Sequence, residues 1–381
     1  MPVAHSIPEA CALAIRTPTG TVVHTGDWKL DPAPQVGART DVPALETLGR
    51  EGVLAMVCDS TNVLSPGTSG SEAEVRDSLT ALIAQQRQRV VLTTFSSNIA
   101  RLETAMLAAQ AAGRELFVVG RSMRRNISMA REMGLLRIPD SALIDVEDVD
   151  RHEPGKVLVL CTGSQGEPMS ALTLLAGQEN RWLKLHPDDT VILSSHPIPG
   201  NEHAVTKVID NLFRQGVEVI HSGVSDVHAT GHAKAEELKL YQSILKPDWF
   251  VPVHGEYRHL MANAKLAQDT GIPAENTIIA ENGTVVDLRD GVAKVVGQLD
   301  LGFVYVDGST GREITDADLK DRRILGEEGF ISAIAAVNLH SMELVSEPQI
   351  TARGFFEGDA VFDDIAAELT EALRGALADG A

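Results

Sequence analysis

The chain has 381 residues, and its 53 Asp and Glu outnumber its 33 Lys and Arg, which gives a formal net charge of −20. At about 100–200 residues per domain, this length predicts two or three domains, and an apolar content of 44% excludes a wholly disordered chain. The acidic balance excludes electrostatic wrapping of nucleic acid over the whole surface, but it leaves room for a local basic channel.

The cysteines and the hydropathy pattern indicate the cellular compartment of the chain. Cys11, Cys58 and Cys161 are odd in number, widely spaced and outside any CxxC motif, so we expect no disulfide framework and a reducing cytoplasm. No run reaches the roughly 18 consecutive apolar residues of a membrane span. The first ten residues also lack the basic and apolar regions of a signal peptide. We therefore predict no membrane partner.

Local patterns predict the elements in chain order. Strand-like runs at 12–17 and 21–25 are joined by Pro18-Thr19-Gly20, which predicts a hairpin, and a short strand at 54–58 ends at Asp59. From about residue 72, strands and helices alternate, which is typical of a mostly parallel sheet with helices on both faces. The predicted helices are 71–86, 99–112, 123–133, 204–215 and 235–244, and the predicted strands are 89–94, 115–119, 157–161, 191–194, 217–221 and 249–253.

The C-terminal part has a different pattern. Residues 277–296 predict two or three antiparallel strands around Glu281-Asn282-Gly283, and residues 303–313 predict a linker. A strand at 330–337 and an amphipathic helix at 365–377 predict a small α+β appendage.

Histidines and an aspartate lie in or beside loops that follow predicted strands, and ligands of α/β sheets bind in such loops. These residues are His5, Asp27, His228, His232 and His254. A catalytic zinc-type site needs neutral imidazole, carboxylate and an open position for water, and a carboxylate such as Asp27 can bridge two metals. The alternatives stay open at this point, because a lone histidine at a strand end is more often structural and Asp27 alone fits a turn.

Three Gly- and Ser-rich loops also follow predicted strands, at 95–98, 162–168 and 194–202. Amides at helix N-termini favour phosphate. No loop matches GxxxxGK[ST] or GxGxxG, so sites for nucleoside triphosphates and dinucleotides are disfavoured. Ordinary turns with N-caps are the competing interpretation. The basic run at 121–126 fits either a backbone-phosphate contact or a solvated helix face.

Nine short motifs follow one another along nearly the whole chain: HSIPEA at His5, HTGDWKLD around Asp27, CDSTN at Asp59, FSSNIAR at Phe95, GRSM at Gly120, TGSQGEPMSAL at Thr162, PIPGNE at Pro197, HATGHA at His228 and PVHGE at His254. Taken together and in this order, they resemble the metallo-β-lactamase/β-CASP nuclease family, and within it the ribonuclease J group. Any one motif is weak, whereas the order of all nine is specific.

The resemblance implies roles for individual residues. His5, Asp27 and His254 match metal ligands of the family, with Asp27 as the bridging carboxylate. Asp59 matches the acid that orients the site, and His232 matches a candidate general acid near the scissile phosphate. Binding of substrate phosphate is implied for His228, for Thr230, which keeps the hydroxyl of the family's usual serine, and for Ser96, Asn98 and Ser164.

The fold implied by the resemblance is α/β: an incomplete metallo-β-lactamase αββα sandwich, an inserted parallel β-CASP domain and a short α+β C-terminal appendage. The expected boundaries are 1–72 and 209–300 for the metallo-β-lactamase domain, 73–208 for the β-CASP domain, 301–320 for a linker and 321–381 for an incomplete C-terminal domain. The family's His-x-His-x-Asp-His string does not occur in this sequence. We therefore expect a fragment or late start of a longer protein, with a degraded paralogue as the alternative.

The function implied is a metal-dependent ribonuclease of RNA processing and decay, acting as a 5′-to-3′ exonuclease and an endonuclease. It would use two divalent ions, zinc or alternatively manganese or magnesium, on RNA that preferably carries a 5′-monophosphate. The complete protein is expected to be a dimer or tetramer. One alternative is a catalytically incomplete fragment or paralogue that binds RNA or a partner without cleaving. Another is a small-molecule metallohydrolase, which His254 and the β-CASP-like middle disfavour.

Overall fold

A computed structural model describes residues 1–136, 143–198, 200–307, 311–354 and 359–379. Pro199 of the PIPGNE motif, residues 308–310 of the predicted linker and residues 355–358 and 380–381 of the predicted C-terminal domain lie outside these ranges. The chain forms two compact units, Met1–Leu299 and Asp300–Ala381. Within the described ranges, no helix combines the length and the hydropathy needed to cross a bilayer.

The first unit contains two sheets, a hairpin and the helices that cover them. Its elements are β1 (Leu13–Thr17), β2 (Gly20–His24), α1 (Val42–Glu51), β3 (Ala55–Asp59), α2 (Glu72–Gln85), β4 (Val90–Thr93), α3 (Ile99–Ala111), β5 (Glu115–Val119), α4 (Arg121–Glu132), β6 (Leu143–Asp145), β7 (Val157–Cys161), α5 (Ala171–Ala176), β8 (Thr190–Leu193), α6 (Glu202–Arg214), β9 (Glu218–His221), α7 (Ala235–Leu245), β10 (Trp249–Val253), α8 (Tyr257–Asp269), β11 (Thr284–Arg289) and β12 (Val292–Gln298).

The larger sheet has six parallel strands in the order β6-β5-β7-β4-β8-β9. Successive side chains of a strand face opposite sides of the sheet. Val90 and Leu92 therefore join the core formed with α2, α3 and α4, whereas Val91 joins the core formed with α5 and α6. This arrangement confirms the predicted α/β class and the parallel sheet with helices on both faces. Cys161 is buried in the second of these cores.

The smaller sheet has the order β1-β2-β3-β10. β1 and β2 form the predicted antiparallel hairpin, while β3 pairs in parallel with both β2 and β10. A third core, which includes the buried Cys58 and side chains of α1, α7 and α8, covers this sheet. In the β3–β10 register Val253 lies opposite Asp59, so the residues that follow the two strands emerge side by side.

The predicted position of the turn in the 277–296 region is wrong. The two strands there are β11 and β12, and the turn between them is Asp290-Gly291 rather than Glu281-Asn282-Gly283. Asp290 and Gly291 have φ angles of 54° and 78°. A two-residue hairpin turn with positive φ at both positions matches the twist of the flanking strands, and Asp-Gly is among the sequences that favour it.

The second unit is a small α+β arrangement, as predicted. Its described elements are β13 (Tyr305–Val306), β14 (Glu313–Ile314), α9 (Asp316–Glu328), β15 (Phe330–Ile334), β16 (Val337–Asn338), β17 (Glu343–Leu344), β18 (Gln349–Arg353) and α10 (Asp359–Asp379). β13 pairs with β14, β15 with β18 and β16 with β17, all antiparallel. Part of the segment predicted as a linker thus belongs to paired strands and to the start of α9.

Candidate metal centre

Strand pairing in the smaller sheet brings distant parts of the sequence to one edge. Asp59 is the last residue of β3, and His254 directly follows the neighbouring β10. Asp27 lies three residues past β2, which pairs with β3 on its other side. Because these strands are parallel, their carboxyl ends meet at the same edge, where ligands bind in α/β sheets. Three of the predicted site residues therefore converge by sheet register alone.

Four side chains form a compact cluster at this edge. His254 Nδ1 lies 3.1 Å from Asp27 Oδ1 and 3.3 Å from Asp59 Oδ1. His232 Nδ1 lies 2.7 Å from Asp59 Oδ2. One potential ligand atom from each of Asp27, Asp59, His232 and His254 lies within 4.8 Å of the other three. The cluster thus joins two predicted ligands with the two residues predicted to be catalytic.

His5 lies beside this cluster. An antiparallel bridge between Ala4 and Lys29 holds its segment next to the loop of Asp27. His5 Nδ1 donates to the Gly231 carbonyl at 2.7 Å, because a carbonyl oxygen can only accept. In the neutral ring Nε2 therefore carries no proton, and it lies 3.9 Å from Asp27 Oδ2. Burial is the main reason why the pKa of His5 is lowered, which keeps the imidazole neutral. A neutral imidazole whose other nitrogen donates to a carbonyl is the usual form of a metal ligand.

The charges of the cluster suit a cation. Hydrogen bonds to Asp27 and Asp59 raise the pKa of His254 to about 10. The bond with His254 lowers the pKa of Asp27. Burial raises the pKa of Asp59, but hydrogen bonds with His232 and His254 outweigh this effect and hold the pKa well below the usual carboxyl range. The two carboxylates are thus ionised, and His254 gives up its proton when a cation takes the place of that proton. Two carboxylates together with neutral imidazoles are a donor set that fits a divalent metal ion.

Thr61 also supports the centre, and it is not among the predicted site residues. Its hydroxyl oxygen lies 2.8 Å from Asp59 Oδ1 and 3.0 Å from the His254 carbonyl oxygen, and its amide donates to Asp59 Oδ1 at 2.9 Å. Asn263 of α8 donates to the Asp59 carbonyl at 3.1 Å. His254 itself has a φ of 56°, a backbone conformation that non-glycine residues adopt rarely. The signal for Thr61 was its place in the Asp59-Ser60-Thr61-Asn62 string.

The residues predicted to bind phosphate fall into two groups. His228 and Thr230 lie in the loop that leads to His232, and His228 Nδ1 is buried with no hydrogen-bond partner among the described residues. The second group lies in the loops after strands of the larger sheet. Asn98 is buried and caps α3 by accepting from the Arg101 amide. Ser164 is buried, and the Ser96 hydroxyl accepts from Asn126. For all five, phosphate binding stays a prediction.

A buried ion pair lies behind the His228 loop. Arg101 donates to both carboxylate oxygens of Glu72 at 3.0–3.2 Å, and both side chains are buried. Its third guanidinium nitrogen donates to the carbonyls of Ser194 and Val227 at 3.0 and 3.1 Å. Burial first, and then the Arg101 charge, lower the pKa of His228 to about 3, so its imidazole is neutral.

Models of known families match most of the chain. "Ribonuclease J, beta-CASP domain" matches residues 87–212, "Zn-dependent metallo-hydrolase RNA specificity domain" matches residues 216–278, and "Ribonuclease J C-terminal domain" matches residues 318–381.

Curated proteins are similar over nearly the whole chain. The chain is 44% identical to "Ribonuclease J" of Corynebacterium glutamicum over 98% of its own length and 52% of the relative, and 42% identical to that of Mycolicibacterium smegmatis over 98% and 67%. "Ribonuclease J2" of Bacillus subtilis is 35% identical over 92% of the chain and 63% of the relative. The chain thus spans about half to two thirds of the length of these relatives.

Among solved structures, a protein of unknown function from Enterococcus faecalis V583 matches with a TM-score of 0.51 and 16% identity. The match covers 78% of this chain and 63% of the other chain. At this identity the likeness concerns the fold alone.

Proposed function

This chain belongs to the ribonuclease J family, and from that membership and the metal centre we propose that it is a metal-dependent ribonuclease of RNA processing and decay. The proposed activities are 5′-to-3′ exonuclease and endonuclease hydrolysis of phosphodiesters, with a preference for a 5′-monophosphate. The single observation that carries the proposal is the cluster in which one ligand atom from each of two carboxylates and two imidazoles lies within 4.8 Å of the others.

The proposed cofactor is a pair of divalent ions, zinc or alternatively manganese or magnesium. His5, Asp27 and His254 would hold them together with groups of the same cluster, and Asp27 would be the shared carboxylate. Two such ions, when bound, make hydroxide available near neutral pH and offset the charge that develops on a phosphodiester. The half-exposed His254 and Asp27 leave the centre open to solvent and substrate.

His232 is the proposed general acid. Its Nδ1 faces an ionised Asp59, which can only accept, so Nδ1 carries the proton of that hydrogen bond. Asp59 is buried and therefore fixes both the tautomer and the orientation of the ring. The opposite nitrogen, Nε2, is then the atom that exchanges a proton with the leaving oxygen of the cleaved bond. Thr61 in turn holds Asp59 in place through two hydrogen bonds.

The proposed substrate contacts lie along the carboxyl edge of both sheets. His228 and Thr230 are the main candidates for a phosphate, with Ser96, Asn98 and Ser164 as further candidates. The exposed Arg121 and Arg125 at the start of α4 offer positive charge on a chain whose net charge is strongly negative. Contacts of this kind read the backbone and shape of RNA rather than its bases.

The proposed domain organisation follows the two sheets. The smaller sheet belongs to a metallo-β-lactamase domain formed by residues 1–72 and 209–300, and the larger sheet belongs mostly to the inserted β-CASP domain, residues 73–208. A C-terminal domain at 321–381 follows, and residues 301–320, which were predicted as a linker, contain β13, β14 and the start of α9. The complete protein is proposed to be a cytoplasmic dimer or tetramer.

The experiment that tests this function is hydrolysis of a 3′-fluorescein-labelled RNA with a 5′-phosphate, in Zn²⁺ or Mn²⁺, by wild type, Asp27→Asn and Asp188→Asn. Asp188 is an exposed aspartate outside the cluster and serves as the matched control. Wild type and Asp188→Asn should shorten the labelled RNA progressively from its 5′ end, and Asp27→Asn should not. RNA binding without cleavage by wild type under every metal condition would contradict the proposal and favour a binding subunit.

A further inference from the structure

The side chain of Asn62 connects the loop after β3 with the loop that carries Thr230 and His232. Its Nδ2 atom lies 2.6 Å from Thr230 Oγ1 and 3.2 Å from the His232 carbonyl oxygen. A parallel bridge between Asn62 and Lys234 holds the two backbones together at this point. Asn62 thus contacts both a proposed phosphate-binding residue and the backbone of the proposed general acid.

The His232 carbonyl determines which way the Asn62 amide faces. A carbonyl oxygen can only accept a hydrogen bond, so the atom that approaches it must be the donor Nδ2 rather than the acceptor Oδ1. The same Nδ2 then also donates to Thr230 Oγ1. Thr230 Oγ1 is therefore the acceptor in its contact with Asn62.

A second donor occupies the other side of the Thr230 hydroxyl. The His232 amide donates to Thr230 Oγ1 at 3.2 Å. A hydroxyl oxygen has two lone pairs and one proton. Both lone pairs are engaged, and within the described part of the chain no acceptor is found for the Thr230 proton. The hydroxyl is half-buried, so this proton can reach a ligand.

We infer that Asn62 is a positioning residue that makes the Thr230 hydroxyl a fixed donor to a phosphoryl oxygen of RNA. The inference rests on the proposed function and adds a residue to it. Without Asn62, the hydroxyl regains a free lone pair and can rotate, so its proton no longer has one direction. The two donors set the direction of the Thr230 proton before RNA arrives. Binding therefore costs no further conformational entropy at this hydroxyl. The phosphoryl oxygen belongs either to a 5′-terminal phosphate or to an internal phosphodiester.

A double-mutant cycle separates this role from a merely structural one. We would measure binding of a 3′-fluorescein-labelled single-stranded RNA, with and without a 5′-phosphate, by anisotropy in EDTA. The proteins are wild type, Asn62→Ala, Thr230→Val and the double variant, with Thr230→Ser as the control that keeps the hydroxyl. Circular dichroism and thermal unfolding establish that each variant is folded.

We expect Thr230→Val to weaken binding by about tenfold, as for loss of a hydrogen bond to a charged group, while Thr230→Ser binds like wild type. Asn62→Ala should weaken binding several-fold when Thr230 is present and less than about twofold in the Thr230→Val background. A loss confined to 5′-phosphorylated RNA supports contact with the terminal phosphate. An equal loss for both RNAs supports contact with an internal phosphate.

The inference is overturned if Asn62→Ala has no effect, or if it weakens binding by the same factor in both backgrounds. If wild type neither binds these RNAs nor cleaves them in Zn²⁺ or Mn²⁺, the proposed function itself fails, which is a distinct result. Should Asn62→Ala not fold, Asn62→Asp replaces it, since a carboxylate keeps the size but cannot donate. The effect of its added charge persists in the Thr230→Val background, so the cycle still isolates the contribution that passes through Thr230.

Discussion

Replacement of Glu72 by Gln tests the buried ion pair between α2 and α3. The Glu72 carboxylate accepts three hydrogen bonds from Arg101 at 3.0–3.2 Å, and the two side chains are only 4% and 0% exposed. Glutamine keeps the size of the side chain but removes its charge. The NH₂ group of its amide is a donor and would face the N–H donors of the Arg101 guanidinium. Loss of one partner leaves the other charge buried without compensation, which costs about 3–5 kcal/mol. We expect the free energy of unfolding to fall by that amount.

Urea unfolding followed by far-ultraviolet circular dichroism measures this change from the shift of the midpoint at a common slope. Glu51→Gln is the matched control, because Glu51 accepts from Arg16 at 2.9 Å while the two side chains are 49% and 62% exposed. An exposed pair of this kind contributes about 0–1 kcal/mol. A loss for Glu72→Gln no larger than that for Glu51→Gln would refute the argument from burial.

Two further predictions concern the metal centre and the pH dependence of stability. A Cβ at Gly231 would lie 2.8 Å from the His5 ring, so Gly231→Ala should lower Zn²⁺ affinity by about 10–100-fold in calorimetry. Gly297→Ala is the control, because nothing lies within 4 Å of a Cβ at that position. Equal Zn²⁺ affinities for the two variants would contradict the prediction. Burial raises the pKa of Asp31, but hydrogen bonds from the Glu72 amide and a neighbouring hydroxyl outweigh it and lower the pKa overall. The stabilisation by Asp31 is therefore fully present above its unfolded pKa of about 4 and is lost as the pH falls through the lower pKa of the folded state. Wild type should accordingly lose more unfolding free energy than Asp31→Asn between about pH 5 and 2, and parallel pH curves for the two proteins would argue against this.

Much of the fold was predictable because the central strands of the larger sheet are buried on both faces. A strand such as Val90–Thr93 is a short, continuously apolar run between polar turns, and this pattern identifies parallel strands without knowledge of their neighbours. Helix α1 was not predicted: it has only ten residues and buries only Leu45 and Leu48, although Asp41 caps it and a proline lies in its first turn.

The site was predictable as a set of residues but not as a set of contacts. Asp59 and His254 stand out because each ends a strand, yet their proximity depends on the pairing of β3 with β10 across nearly 200 residues of sequence. Local sequence carries no information about that register. For the same reason the sequence did not reveal that Thr61 supports Asp59 or that Asn62 contacts Thr230.

The central claim is that the Asp and His cluster holds divalent metal. Calorimetric titration of the whole chain with Zn²⁺ tests it most directly, with Asp27→Asn and Asp188→Asn measured in parallel. The account predicts about two ions per chain for wild type and Asp188→Asn, and an affinity at least about tenfold weaker for Asp27→Asn. The absence of Zn²⁺ binding by wild type, or equal affinity in all three proteins, would contradict it.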